Sequence, residues 1–478
     1  MKSTLVIFGL VLLGCSQSSG SYDASGAGGG GVPVGGGAGG GGGGAFNATE
    51  ESDRQPMDQS DGEPDRGQPL STGACDGLDT VARVVDAVVS DSDDSASATG
   101  ARASLTDGRS PSPLSVRTQD FLNLYPPALP ATVEPLSVSV DLRPSLVPGF
   151  FELAAMVHAA PSTEPLPPLV AVALLDTSKE WDDTMTARAK LVLDALSPKV
   201  QSLAVLTTDP SVEPATDIGA LSLSTGGDLN EGLTRAYDMA FTSGPEDATR
   251  RVFLLGPGSG DPTSLDTAFI SERASAAVLL HTVGIGSPDA TRELRSAARY
   301  GHGSYSWVGD AEDASRVIGD RVDGLFRAAY TDVRLNLTLP WYFSIVSPES
   351  EQTVSTDQAQ PQSLAAGETM VFPFKIAACD ATVVDAASVV DVSLSATSMA
   401  DGERKTVALQ KSLAELESAD HTALQKVMVV YQYAEALKTL DPVRLAAARS
   451  SAEDAAQTAT DPDLTKIAGL IALHPALQ

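Results

Sequence analysis

The chain has 478 residues, enough for two or three domains with ample cores. Its 32 Lys and Arg stand against 62 Asp and Glu, a formal charge of −30, which argues against nucleic acid as a partner because phosphate binding needs a basic surface. The charge names no partner by itself, since acidic surfaces also serve solubility.

The amino terminus, MKSTLVIFGLVLLGC, has a lysine, a mostly apolar run from Leu5 to Leu13, then Gly14-Cys15. It is too short for a bilayer-spanning helix and reads as a signal peptide over residues 1–15. Leu12-Leu13-Gly14-Cys15 resembles the bacterial lipobox. That resemblance implies cleavage before Cys15, diacylglycerol on its sulfur and usually a further acyl chain on its new amino group, an anchor of several chains rather than one. Ser16 resembles the outer-membrane sorting pattern. Residues 16–113 read as a tether: Gly26 to Gly44 is nearly all glycine, and Glu50 to Pro69 is acidic with Pro and Gly. Such composition cannot bury enough apolar surface to offset ordering entropy. One helix-like island, Leu78 to Val89 (LDTVARVVDAVV), interrupts it. Apart from Cys15 the cysteines are Cys75 and Cys379, which can pair in an oxidising compartment.

Residues 114–165 begin the globular part, with a short helix in VRTQDFLNLYPPALP and strands at Leu136 to Leu142 and Phe150 to His158. A Pro-rich join, Pro161 to Pro168, leads to LVAVALLDTSKE, where seven apolar residues stop at Asp176-Thr177-Ser178. A short unbroken apolar run bounded by turn residues predicts a strand buried on both faces. Strands and helices then alternate through residues 166–332, ending in a long helix from Ala311 to Ala329. The alternation predicts a doubly wound, mainly parallel α/β sheet. Residues 333–413 change to period two and predict an antiparallel β domain. Its partner sheet is expected from 136–158, with the α/β domain inserted between. Residues 414–478 predict a C-terminal helical segment of three helices, two of them opening with Asp441-Pro442 and Asp461-Pro462.

Asp176 and Ser178 admit two readings: a hard-cation pair at the sheet's carboxyl edge, or a cap for the following helix. In series, FLNLYPPALP, LVAVALLDTSKEW, RRVFLLGPGSGD, HTVGIG and RYGHGSYSWV resemble bacterial lipoproteins with a von Willebrand factor type A (VWA) domain. VWA domains often hold a divalent cation through three strand-end loops. Here Asp176 and Ser178 match the first loop, but Glu180 stands at the second serine position. GGDLNEGL offers Asp228 or Asn230 where a threonine belongs, with Thr225 slightly early. Pro257 stands at the third-loop aspartate and supplies no side-chain oxygen. The resemblance therefore implies a degenerate site needing no cofactor, with Mg or Mn held only if Glu180 and Asp228 substitute.

The histidines, 158, 281, 302, 421 and 474, show no metal spacing. Ser178 lacks a nucleophile elbow and an evident base. The expected function is a non-enzymatic, lipid-anchored cell-envelope protein, at the outer membrane, binding a protein or envelope polymer through loops 176–182, 225–231 and 256–262. The alternatives are a metal-dependent adhesion module with altered ligands, and an envelope enzyme.

Overall fold

The computed structural model describes residues 75–76, 78, 80–87, 94–130, 134–161, 168–221, 223–259, 261–289, 292–319, 328–347 and 362–478. The signal peptide, Cys15 and most of the glycine-rich tether lie outside the described residues.

The apolar run forms β4 (Leu169–Leu175), buried along its whole length. It pairs in parallel with β5 (Ser202–Thr207) and β6 (Thr249–Gly256), and β7 (Leu279–Gly284) and β8 (His302–Trp307) extend the sheet. The strand order β5-β4-β6-β7-β8 puts the apolar run at the second position of five. Alternate β4 residues serve opposite cores, as the two-residue pleat requires. Ala171, Ala173 and Leu175 pack with α3 (Asp183–Leu196), while Val172 and Leu174 pack with α4 (Leu229–Thr242), α5 (Thr267–Ser275) and α6 (Arg292–Tyr300). Helices on both faces make the sheet doubly wound.

The flanking strands build two antiparallel sheets. In one, β2 (Leu136–Pro144), β3 (Phe150–Ala159), β12 (Thr369–Ala378) and β10 (Phe343–Ser347) are neighbours. In the other, β1 (Arg83–Ala87), β9 (Ala328–Leu339), β13 (Val389–Ser398) and β14 (Arg404–Ser412) run in order, with β11 (Leu364–Ala365) also on β9. Leu153, Ala155 and Val157 of β3 face Leu335, Leu337, Val392 and Leu394 in one shared core. The register Ala155↔Phe372 joins chain before the α/β sheet to chain after it, so the α/β unit is an insertion in a β-sandwich. After a short helix, α8 (Leu413–Glu417), come α9 (Thr422–Thr439), α10 (Pro442–Thr458) and α11 (Pro462–Ala472). Asp441 and Asp461 cap the latter two, with proline in the first turn. The core that holds α9 also takes Ala154, Met156 and Val371 on the outer face of β3 and β12, and the α3 face of the parallel sheet. No described helix is long and apolar enough to cross a membrane.

Three expectations are corrected. The tether does not run to residue 113, because α1 (Ala96–Thr106) is a packed helix; α2 (Thr118–Leu124) is the short helix expected in VRTQDFLNLYPPALP. Residues 94–95 bond the open edge of β8, with Tyr305 N donating to Asp94 Oδ1 at 2.7 Å and Ser95 N to Tyr305 O at 3.2 Å. The island at Leu78 to Val89 is not helical: it holds β1, whose Val85 lies opposite Leu337. Pairing with β9 overrides a local pattern that suits a helix, and valine-rich sequence accepts either. A Cys75–Cys379 disulfide, Cα–Cα 5.1 Å, closes the chain just before β1. Finally, of the helix foreseen from Ala311 to Ala329 the described part is α7 (Ala311–Ala314) and a π-helical turn, Ser315–Gly319, while Ala328 and Ala329 belong to β9 and residues 320–327 lie outside the described residues.

Candidate functional site at the strand ends

The carboxyl ends of β4, β5 and β6 are sewn together by backbone and hydroxyl groups. Asp176 N donates to Leu255 O at 2.8 Å, and Thr208 N to Leu175 O at 3.1 Å. The Thr177 and Thr208 hydroxyls lie 2.9 Å apart, and Thr208 Oγ1 donates to Gly226 O at 2.8 Å. The β5–α4 loop closes onto this pair only because residue 227 is glycine. Its φ is +83°, and an added Cβ would lie 2.1 Å from Thr208 O.

Asp176 sits at the centre, 1% exposed. Its Oδ1 accepts Ser178 N at 3.2 Å and Ser178 Oγ at 2.5 Å. Its Oδ2 receives no hydrogen bond but lies 3.3 Å from Lys179 Nζ, an ion pair without hydrogen-bond alignment. The same ammonium donates to Glu293 Oε2. Glu293, on α6, is 2% exposed, and its other oxygen accepts Ser264 Oγ at 3.1 Å. Burial lowers the Lys179 pKa, but the Glu293 hydrogen bond and the two carboxylates outweigh it and hold the pKa above its ordinary value. Lys179 is therefore an ammonium between two buried carboxylates.

The surrounding acids are committed to their own loops. Asp182 caps α3 by accepting Met185 N at 2.7 Å, and Asp228 caps α4 by accepting Glu231 N at 3.0 Å. The reading of Asp176 and Ser178 as the α3 cap is corrected: that cap is Asp182, and Asp176 instead ties Ser178 and Lys179. Glu180 is exposed and Asp228 is engaged at its helix, so neither joins Asp176 as a substitute ligand. Among the described residues no three of His, Cys, Asp and Glu are grouped to hold a metal. The Asp176 and Glu293 oxygens that would face a divalent ion face Lys179 instead. The residues present do not fit a resident Mg or Mn.

Lys179 and Glu293 were not legible as site residues. A lysine three residues after a strand-end aspartate is a weak cue, and Glu293 arrives from α6 by tertiary folding alone. The histidines are dispersed. His281 stacks on Phe253 at 5.4 Å inside the sheet, and His421 Nδ1 lies 2.6 Å from Asp141 Oδ1 in the sandwich. Trp307 is buried beneath Arg188, whereas Trp181 is half-buried and donates Nε1–H to Asp176 O at 2.5 Å.

A five-stranded parallel sheet with helices on both faces, its second strand ending in the Asp176-Thr177-Ser178 turn, is the architecture the motif series implies. The fold is VWA-like. No family model and no curated protein matches the sequence. Among solved structures, the VWA2 protein of Sulfolobus acidocaldarius, an ArnB paralog, is 13% identical, with 72% of this chain and 97% of that chain covered and a TM-score of 0.37. A von Willebrand factor type A protein from Catenulispora acidiphila is 15% identical over 68% of this chain and 87% of that chain, TM-score 0.40. The pilus adhesin SpaC from Lactobacillus rhamnosus GG, in its open conformation, is 9% identical over 58% and 47%, TM-score 0.29. Likenesses at this level carry no functional argument.

Proposed function

We propose that this chain is a non-enzymatic interaction module, lipid-anchored in the cell envelope through Cys15, and that it binds a protein or envelope polymer without a metal. The observation that carries the metal-free reading is the Lys179 ammonium between Asp176 and Glu293. Loops fixed by their own caps at Asp182 and Asp228 offer a preorganised rim, which lowers the ordering cost of binding. Ser178 donates its hydroxyl to a carboxylate that already faces an ammonium, so no general base is poised to activate it.

The test uses the full chain expressed with its leader. Labelled palmitate should enter the wild type and not Cys15→Ala. Crosslinking in intact envelopes should capture a partner that is lost in Glu180→Lys/Thr225→Lys, two exposed rim positions, and retained in EDTA. Release by EDTA, or retention by the rim variant, refutes the reading.

A further inference from the structure

We infer that Lys179 is a tethered cation filling the place of a divalent ion, and that removing it turns Asp176 and Glu293 into a divalent-cation site. The inference rests on the metal-free reading above and explains it.

The argument is one of charge. Asp176 and Glu293 are 1% and 2% exposed, and two buried carboxylates beside one another repel strongly in a medium of low dielectric. Among the described residues Lys179 is the one cation within ion-pairing distance of either. Its ammonium holds Glu293 Oε2 by a hydrogen bond, but Asp176 Oδ2 is met only at 3.3 Å, with no donor aligned to it. A buried carboxylate oxygen aimed at a cation without a hydrogen bond is left partly unsatisfied by a directional ammonium. A spherical ion would satisfy it.

Truncating Lys179 leaves Asp176 Oδ2 and Glu293 Oε2 facing the vacated position, with room for water where the ammonium was. Two carboxylates and waters are a hard-oxygen set suited to Mn²⁺ or Mg²⁺. In the wild type a divalent ion would have to displace a covalently attached competitor at very high effective concentration.

The experiment measures Mn²⁺ binding by electron paramagnetic resonance, and thermal midpoints with and without Mn²⁺, on full-length wild type, Asp176→Asn, Lys179→Ala, Lys179→Met and Asp176→Asn/Lys179→Ala. Wild type should show no saturable millimolar binding and no midpoint shift. Lys179→Ala should bind at least tenfold more tightly and gain a Mn²⁺-dependent midpoint rise, both lost in the double variant. Lys179→Met keeps the aliphatic stem, fills part of the vacated space and should bind more weakly than the alanine variant. Wild-type binding that Asp176→Asn abolishes overturns the metal-free reading itself. A silent wild type with a Lys179→Ala variant that gains neither affinity nor a midpoint rise overturns the tethered-cation inference and leaves that reading standing.

Discussion

Arg102→Met tests whether the segment before residue 113 is part of the fold. Arg102 lies on α1 with a 7%-exposed side chain and meets Asp310 at 2.7 Å, Glu312 at 2.9 Å and Asp313 at 2.5 Å. Asp310 and Glu312 side chains are 60% and 44% exposed, so water replaces Arg102 there at little cost. Asp313 is 2% exposed and cannot be rescued in that way. Stranding one partner of a buried pair costs about 3–5 kcal/mol, and methionine retains most of the packing of the stem. Burial already pushes Asp313 up to about 6 in spite of Arg102, and losing the guanidinium raises it further. A carboxyl whose folded pKa is raised contributes stability fully present below its unfolded value near 3.8 and lost as pH rises through the folded value. The deficit of Arg102→Met should therefore be largest above pH 6 and shrink towards pH 4. Urea midpoints at pH 8 and pH 4.5, with hydrogen exchange across residues 96–106, measure it, and Asp313→Asn in the same background should restore most of the loss at pH 8. A deficit under 1 kcal/mol, or one independent of pH, refutes the reasoning, as would unprotected amides along α1 in the wild type.

Burial holds His281 neutral and lowers its pKa to about 3, with Arg251 adding to the effect. The unfolded chain takes up that proton from pH 6.5 downward, so stability present above pH 6.5 falls on acidification, by on the order of 4–5 kcal/mol by pH 3; His281→Leu should flatten this part of the acid denaturation curve, and an unchanged curve would count against it. Asp182→Ala should cost about 1 kcal/mol through the lost α3 cap, read from urea midpoints, and a loss within error would show that the cap contributes nothing.

The parallel sheet was legible because β4 is apolar on both faces, a signature that does not depend on what surrounds it. The sandwich strands were legible from their alternation, as in β13, where Val390, Val392, Leu394 and Ala396 face inward. Residues 94–106 were not. Their Ala, Ser and Thr carry no periodic apolar stripe, and α1 is buried because small residues let it lie close against β8, with Gly100 against Pro288. In the site, the departures from the resembled pattern at Pro257 and Glu180 are visible in the sequence. The ion pairs of Lys179 are not, because they depend on Glu293 arriving from another helix to share Lys179 with Asp176.

The insertion has a kinetic consequence. The β2–β3 hairpin can form as soon as residues 136–159 are available, but the second edge of β3 stays open until β12 is made, beyond the whole parallel sheet. Closing a loop of that length is entropically costly, and such long-range pairing makes folding slow. Meanwhile β3 exposes Leu153, Ala155 and Val157 on one face and Ala154 and Met156 on the other beside an unpaired edge, a template for pairing with other incomplete chains. The parallel sheet can fold meanwhile, and once folded it holds the chain ends at 168 and 319 in fixed places, which shortens the search for β12. Refolding yield should thus depend on how fast residues 168–319 fold more than on how stable the finished sandwich is.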